Sequence, residues 1–160
     1  MITFNEIGII HSPHKERRGA PIQPAGADKF QGEVEVYPEF QEGLTDLKGF
    51  ERIILIYHFH LSEGFDLMTK PFLDNQKRGL FSTRAPKRPN PIGLSIVRLL
   101  GVEKNILLVQ GVDIVDKTPL IDIKPYVPQF DAFPGSKAGW IDAARLTAQS
   151  VRADDRFTRE

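Results

Sequence analysis

The sequence predicts a mainly β domain, an antiparallel barrel or sandwich with long Pro- and Gly-rich loops and little helix. Three observations carry this. Apolar and β-branched runs of strand length recur through residues 6–124. Turn-forming residues separate them at regular intervals. Helical periodicity is sparse and confined to two stretches.

Taken in order, residues 6–11 read as a first strand, and residues 32–37 alternate polar and apolar side chains at the strand period of two. Residues 40–47 suggest a short helix before Gly49. Residues 52–59 form an apolar, β-branched run suited to a buried strand. Residues 94–100 and 105–109 flank Gly101-Val102-Glu103-Lys104, which reads as a hairpin turn. Residues 112–115 and 120–124, split by Asp116-Lys117-Thr118-Pro119, bring the total to about seven short strands. Residues 140–151 are rich in Ala and Leu and read as a C-terminal helix with a ragged apolar stripe. Pro and Gly concentrate in three loops, residues 19–26, 85–93 and 125–135.

A chain of 160 residues supports one domain with a real core, not two independent cores. It has no cysteine, which excludes disulfides, thiolate metal sites and a cysteine nucleophile. That fits a reducing compartment and a cytoplasmic location. The longest apolar run, around Ile53-Ile54-Leu55-Ile56, is too short to span a bilayer, so no membrane partner is expected. The first residues lack the basic start and apolar stretch of a signal peptide. Lys and Arg total 21, and Asp and Glu total 21, so a binder that uses its whole surface for nucleic acid is disfavoured. Local clusters remain: no acid lies between Asp74 and Glu103, where Lys77, Arg78, Arg84, Lys87, Arg88 and Arg98 fall, and Lys15, Arg17 and Arg18 form a second knot. Such clusters can bind a polyanion although the whole chain is neutral.

Within Thr83-Arg84-Ala85-Pro86-Lys87-Arg88-Pro89-Asn90-Pro91-Ile92-Gly93, three prolines fix φ and bias the residues before them toward extended geometry. The loop is stiff, and stiffness lowers the ordering cost of binding. Arg84 and Arg88 offer planar forks for a carboxylate, a phosphate or a base edge, and Asn90 can both donate and accept. Taken alone, the segment also reads as a rigid connecting loop. His58 and His60 share a strand face, but no His-Glu-x-x-His or matching carboxylate accompanies them. A histidine packing on a ligand, or held by a backbone group, fits better than a metal site. Asp116 and Thr118 lie in a tight turn, and Asp122 and Lys124 share a strand face. The spacing from Asp113 to Asp122 matches no metal loop. There is no Gly-x-Gly-x-x-Gly, no Walker loop and no Gly-x-Ser-x-Gly. The residues by themselves name no reaction.

Together, however, these segments resemble the TsaA-like family. The similarity runs from Ile7-Gly8-Ile9-Ile10-His11-Ser12-Pro13 through Ile22-Gln23-Pro24, residues 50–64 and residues 79–93, and ends with residues 113–128. Its most specific strings are Thr-Arg-x-x-x-Arg-Pro-Asn-Pro-Ile-Gly and Asp-x-x-Asp-x-Thr-Pro-x-x-Asp-Ile-Lys-Pro-Tyr. The resemblance implies a single-sheet antiparallel β-barrel methyltransferase, a homodimer, that uses S-adenosyl-L-methionine. Its implied acceptor is N6 of threonylcarbamoyladenosine at position 37, in the anticodon loop of tRNA. It implies a barrel domain over residues 1–135 and a tail with helical character over residues 136–160. The implied cofactor residues are Ile22, Gln23, Pro24, His60, Leu61, Arg84, Leu94, Asp116, Lys117, Thr118 and Pro119. The implied substrate or RNA contacts are Lys87, Arg88 and Asn90, with no metal. The family pattern has Arg-Gln-Pro at the place of Ile22-Gln23-Pro24, and Asp-Gly-Thr-Pro at the place of Asp116-Lys117-Thr118-Pro119. Longer bacterial members carry a C-terminal domain of which this chain would have only a short tail.

Methyl transfer from a sulfonium is an in-line displacement, so the protein must mainly align donor and acceptor and exclude water. A carbamoylated N6 is a poor nucleophile and a proton acceptor would help, with Asp116 and Tyr126 as candidates beside the substrate's own carboxylate. Two other classes stay open at this point: a non-catalytic RNA-binding or adaptor module on the same barrel, and a methyltransferase for a small molecule.

Overall fold

The computed structural model describes residues 1–16, 27–72 and 74–144. Eight strands occur among them: β1 (Gly8–His11), β2 (Gln31–Val36), β3 (Arg52–His58), β4 (Met68–Thr69), β5 (Arg78–Gly79), β6 (Ile92–Glu103), β7 (Ile106–Gln110) and β8 (Thr118–Pro125). Six of them close into one antiparallel barrel in the order β1-β2-β7-β6-β3-β8. The short β4 and β5 pair separately as a two-stranded ribbon. Closure pairs every barrel strand on both sides and leaves no open edge.

The period-two alternation decides what fills the barrel. Ile53, Leu55 and Tyr57 of β3 point inward, as do Val34 and Val36 of β2 and Leu107 and Val109 of β7. Each fully buried Val, Ile or Leu contributes about 1.5–3 kcal/mol relative to its exposed state. Leu44 and Leu47, from two short 3-10 segments (Pro38–Leu44 and Leu47–Gly49), join this core beside the start of β3 and plug the lower end.

Register sets the two ends. His58 pairs with Ile92, and Arg52 with Arg98. Ile10 pairs with Thr118, and Gln31 with Gln110. The end of β3, the start of β6, the start of β8, the end of β1, the start of β2 and the end of β7 therefore form one upper rim. The described parts of its connections are residues 12–16 and 27–30, residues 59–72 and 74–91, and residues 111–117.

Several expectations change. Residues 112–115 are not a strand. Val112 and Ile114 are buried, but the carbonyls of both accept from side chains of the β1–β2 connection instead of from a ladder. The hairpin turn lies later than Gly101: β6 continues to Glu103, and the chain reverses at Lys104, whose φ is 54°. Gly101 instead follows an extra residue, Leu100, where the β6–β7 register shifts. A glycine within a strand marks a bulge as readily as a turn, and local sequence does not separate the two. Residues 40–47 are split because Asp46 adopts φ 67° and the Thr45 hydroxyl donates back to the Glu42 carbonyl at 2.7 Å. At the C-terminus two short helices occur, α1 (Pro128–Asp131) and α2 (Trp140–Ala144); the rest of the expected 140–151 helix lies outside the described residues. No helix among the described residues is long and apolar enough to cross a membrane.

Gly93 has a packing role that its motif does not reveal. A Cβ there would lie 2.2 Å from Cε2 of Tyr57, whose ring is buried and anchored by its hydroxyl. Gly93→Ala is expected to lose about 1–3 kcal/mol of stability by overpacking. Urea denaturation measures this, and an unchanged midpoint would refute the packing account.

Candidate active site

Two of the upper connections are tied together by side chains far apart in sequence. The Ser12 amide donates to Asp116 Oδ1 at 2.9 Å, and the Ser12 hydroxyl donates to the Ile114 carbonyl at 2.5 Å. The Asp116 amide donates to the His14 carbonyl at 2.7 Å. The His14 ring bonds the Val112 carbonyl through Nε2 at 2.9 Å and stands edge-on to Phe30 at 4.6 Å. Lys15 Nζ reaches Asp116 Oδ2 at 2.7 Å. Burial works to raise the Asp116 carboxyl, but the Lys15 ammonium, the Ser12 amide and the His11 ring outweigh it and hold the group below the ordinary aspartate range.

The third connection, residues 59–91, carries the β4–β5 ribbon and a satellite core of Phe72, Leu80 and Ala85. One guanidinium nitrogen of Arg88 donates to the carbonyls of Thr83 (2.9 Å) and Ala85 (3.2 Å) and approaches that of Leu80 (3.5 Å). Arg88 thus braces its own loop. Asp74 binds Arg78 through two guanidinium nitrogens, which holds the carboxyl below its ordinary range. From the C-terminal side, Trp140 Nε1 donates to the Ser82 carbonyl at 2.8 Å, and its ring lies 5.6 Å from the Arg78 guanidinium.

A polar chain forms the floor between these connections. The Tyr57 hydroxyl and Ser95 Oγ are 2.9 Å apart, and Ser95 Oγ donates to Asp113 Oδ1 at 2.6 Å. Serine has one proton and gives it to Asp113, so Tyr57 is the donor to Ser95. Asp113 keeps part of its surface open, yet protein atoms surround its carboxyl. Burial pushes this carboxyl up to about 7, while Ser95, its own amide and the Arg84 charge moderate the shift. Burial and the Asp113 charge raise the Tyr57 hydroxyl well above its ordinary value.

The structure brings most of the expected site residues to this rim. His60 and Leu61 follow β3 directly; the Phe59 amide donates to the Pro91 carbonyl and so joins the two ends of the 59–91 connection. Arg84 is exposed and within electrostatic range of both Tyr57 and Asp113. Leu94, near the start of β6, is 48% exposed, and Leu61 is 56% exposed. Asp116, Lys117, Thr118 and Pro119 lead into β8, and Thr118 Oγ1 donates to the Val115 carbonyl at 2.7 Å. Lys117 occupies the left-handed region at φ 63°, the conformation that favours the glycine of the family pattern. Lys87 and Asn90 lie in the same proline-rich segment before β6. Ile22, Gln23 and Pro24 lie outside the described residues. Tyr126 is not brought to the rim: its amide donates to the Arg52 carbonyl at 3.1 Å, at the opposite end of β3 and β8. Among the described residues, no three His, Asp or Glu side chains form a group that could hold a metal.

Sequence reasoning missed Tyr57 and Ser95. The signal was present, because strand alternation puts Tyr57 in phase with Ile53 and Leu55, and Ser95 in phase with Val97. A polar residue at an inward position requires a partner.

The family described as the tRNA-methyltransferase O N-terminal domain matches residues 9–132. A Pyrococcus abyssi protein described as a "probable S-adenosyl-L-methionine-binding protein" is 50% identical over 98% of this chain and 85% of its own length. A tRNA (adenine(37)-N6)-methyltransferase of Escherichia coli is 32% identical over 92% of this chain and 67% of its own length. The crystal structure of TrmO from Pseudomonas aeruginosa aligns with a TM-score of 0.73 and 36% identity, covering 87% of this chain. The chain spans 62% of that crystallised protein.

Two outcomes follow from the site geometry. Left-handed backbone costs a non-glycine residue about 1–2 kcal/mol, and glycine loses about 0.5–1 kcal/mol more chain entropy. Lys117→Gly should therefore raise stability by up to about 1 kcal/mol, read as a higher urea midpoint; a lower midpoint would contradict the strain at this turn. An unfolded aspartate titrates near about 3.9, so between there and pH about 7 folded Asp113 holds a proton that the unfolded chain has lost. Its contribution to stability is complete below that range and is lost as pH rises through it. The stability of Asp113→Asn relative to the natural chain should thus improve by roughly 1–3 kcal/mol between about pH 4 and about pH 8. A difference that stays flat with pH would remove the titrating group from this account.

Proposed function

The chain belongs to the tRNA-methyltransferase O N-terminal domain family, and from that premise we propose that it binds S-adenosyl-L-methionine at the upper rim and methylates N6 of adenosine 37 in tRNA. The observation that carries this reading is the convergence of His60, Leu61, Arg84, Leu94 and residues 116–119 on one end of a closed barrel.

The residues present fit the cofactor. Leu61 and Leu94 expose apolar surface of the kind an adenine ring covers. Arg84 supplies a fixed positive charge for a carboxylate. The 116–119 turn, interlocked with Ser12 and His14, offers pre-organised backbone groups. When bound, the cofactor supplies an electrophilic methyl group. The protein's part is alignment and water exclusion, to which the braced 80–91 loop contributes stiffness.

The finer reading is that the acceptor adenosine carries an N6-threonylcarbamoyl group, that Lys87, Arg88 and Asn90 approach the RNA, and that the enzyme works as a cytoplasmic homodimer. Exposed Ile92, Leu100 and Leu108 on β6 and β7 support a second copy, because large apolar side chains on an outer barrel surface are commonly buried by association. Residues 1–135 are read as the catalytic barrel domain and 136–160 as its tail.

The test is a transfer assay with purified chain, S-adenosyl-L-methionine and tRNA, followed by mass spectrometry of the nucleosides. Methylated adenosine at position 37 is expected. Cofactor binding without transfer to tRNA would favour an adaptor or a small-molecule methyltransferase. In calorimetry, Arg84→Ala should bind the cofactor roughly 10- to 100-fold more weakly while staying folded, as expected for losing a charge-assisted hydrogen bond. Unchanged affinity would remove Arg84 from the site.

A further inference from the structure

We propose that Asp113, clamped by the Tyr57–Ser95 chain at the mouth of the barrel, is the proton acceptor in methyl transfer. The inference rests on the functional reading above and deepens it. An exocyclic purine nitrogen that gains a methyl group must lose its hydrogen. As the acceptor nitrogen bonds to the methyl carbon, the carbon–sulfur bond breaks and its electron pair stays on sulfur. The proton on nitrogen passes to the Asp113 carboxylate, which becomes a neutral acid and later releases it to water.

Four observations converge on this residue. Asp113 lies in the 111–117 connection, three positions before the turn assigned to the cofactor, and within electrostatic range of Arg84. Ser95 fixes one oxygen, Oδ1, at 2.6 Å, and Tyr57 stands behind Ser95, so the carboxyl is held in one orientation. Beside its own amide, Ser95 is the side chain that hydrogen-bonds this carboxyl, and no ion pair ties it up as Lys15 ties up Asp116 among the described residues. Other groups have different partners: Asp116 binds Lys15 and the Ser12 amide, His14 the Val112 carbonyl and His11 Glu35, while Tyr126 lies at the opposite end of the barrel.

The charge balance around the carboxyl suits the task. The groups facing it are Tyr57 from β3, Ser95 from β6 and Arg84 from the 59–91 connection. Burial raises its proton affinity, while Ser95, its own amide and the Arg84 charge moderate the rise. A base titrating near neutrality is deprotonated in a substantial fraction and strong enough to accept a proton in the transition state. Asp116, held below the ordinary range, is a weaker base.

The experiment compares the natural chain with Asp113→Asn and Ser95→Ala, each with S-adenosyl-L-methionine and tRNA. Transfer by the natural chain should rise through pH about 7 and then level off. Asp113→Asn should lose about 10²- to 10⁴-fold in kcat, and lose that pH limb, with cofactor affinity in calorimetry held within about twofold. A readout without turnover is carbon-13 NMR of the free protein. One aspartate carboxyl should titrate near 7, absent in Asp113→Asn and moved higher in Ser95→Ala, which removes a hydrogen bond favouring the charged form. An active natural chain beside an unimpaired Asp113→Asn would overturn the assignment of Asp113 alone. So would a loss of cofactor affinity that matches the loss of rate, because the carboxylate would then be holding the cofactor. A natural chain that binds cofactor but methylates no tRNA would defeat the functional reading itself.

Discussion

Leu120 lies across from Gly8 on one side of β8 and across from Tyr57 on the other, and this double pairing closes the barrel. The remaining features depend on it. Without β8 between β1 and β3, both strands would present open edges, and the inward residues of five strands would face water. Closure also fixes which connections share an end. The connections that follow β1, β3 and β7 leave from the same end because antiparallel pairing alternates the direction of every neighbour around the ring.

The rim is held by polar contacts, where the barrel wall is held by apolar ones. Ser12, His14 and Lys15 bind Val112, Ile114 and Asp116 across about one hundred residues of sequence, replacing a strand ladder with side-chain partners. This leaves residues 111–117 ordered without regular structure. Beneath them, the Tyr57–Ser95–Asp113 chain takes positions that Val or Leu would fill at lower cost. A buried polar chain is tolerable when every member is bonded, and no buried side-chain nitrogen or oxygen among the described residues lacks a partner. Keeping a half-buried carboxyl at the mouth of a barrel sacrifices stability for chemistry, as functional sites commonly do.

The acid-free run between Asp74 and Glu103 also changes meaning in three dimensions. Asp74 neutralises Arg78, and Glu51 approaches Arg98 at 3.5 Å, so acids outside the run compensate two of its cations. Arg88 holds loop carbonyls and lies near the Phe81 ring. What the sequence presents as a basic patch is partly internal bracing, with Arg84 and Lys87 in the segment that faces the candidate site.

Much of the fold was legible without coordinates, because strand alternation and turn chemistry are local. The alternation in residues 32–37 and 52–59 identified two barrel strands, and the proline-rich segment before Gly93 was recognisable as a stiff loop. Where a local signal has two structural outcomes, it failed. Gly101 marks a bulge and not a turn, and Val112 and Ile114 alternate like a strand while their carbonyls bond to distant side chains. Tyr126, named as a candidate proton acceptor by its residue type, lies at the other end of the barrel, where β8 carries it. The sequence by itself determined the strand-rich character, the stiff loops and the residue types gathered for binding. Only the tertiary structure decided that Asp116 is locked in an ion pair while Asp113 rests on Ser95, because proton affinity depends on burial and on partners that sequence spacing does not encode.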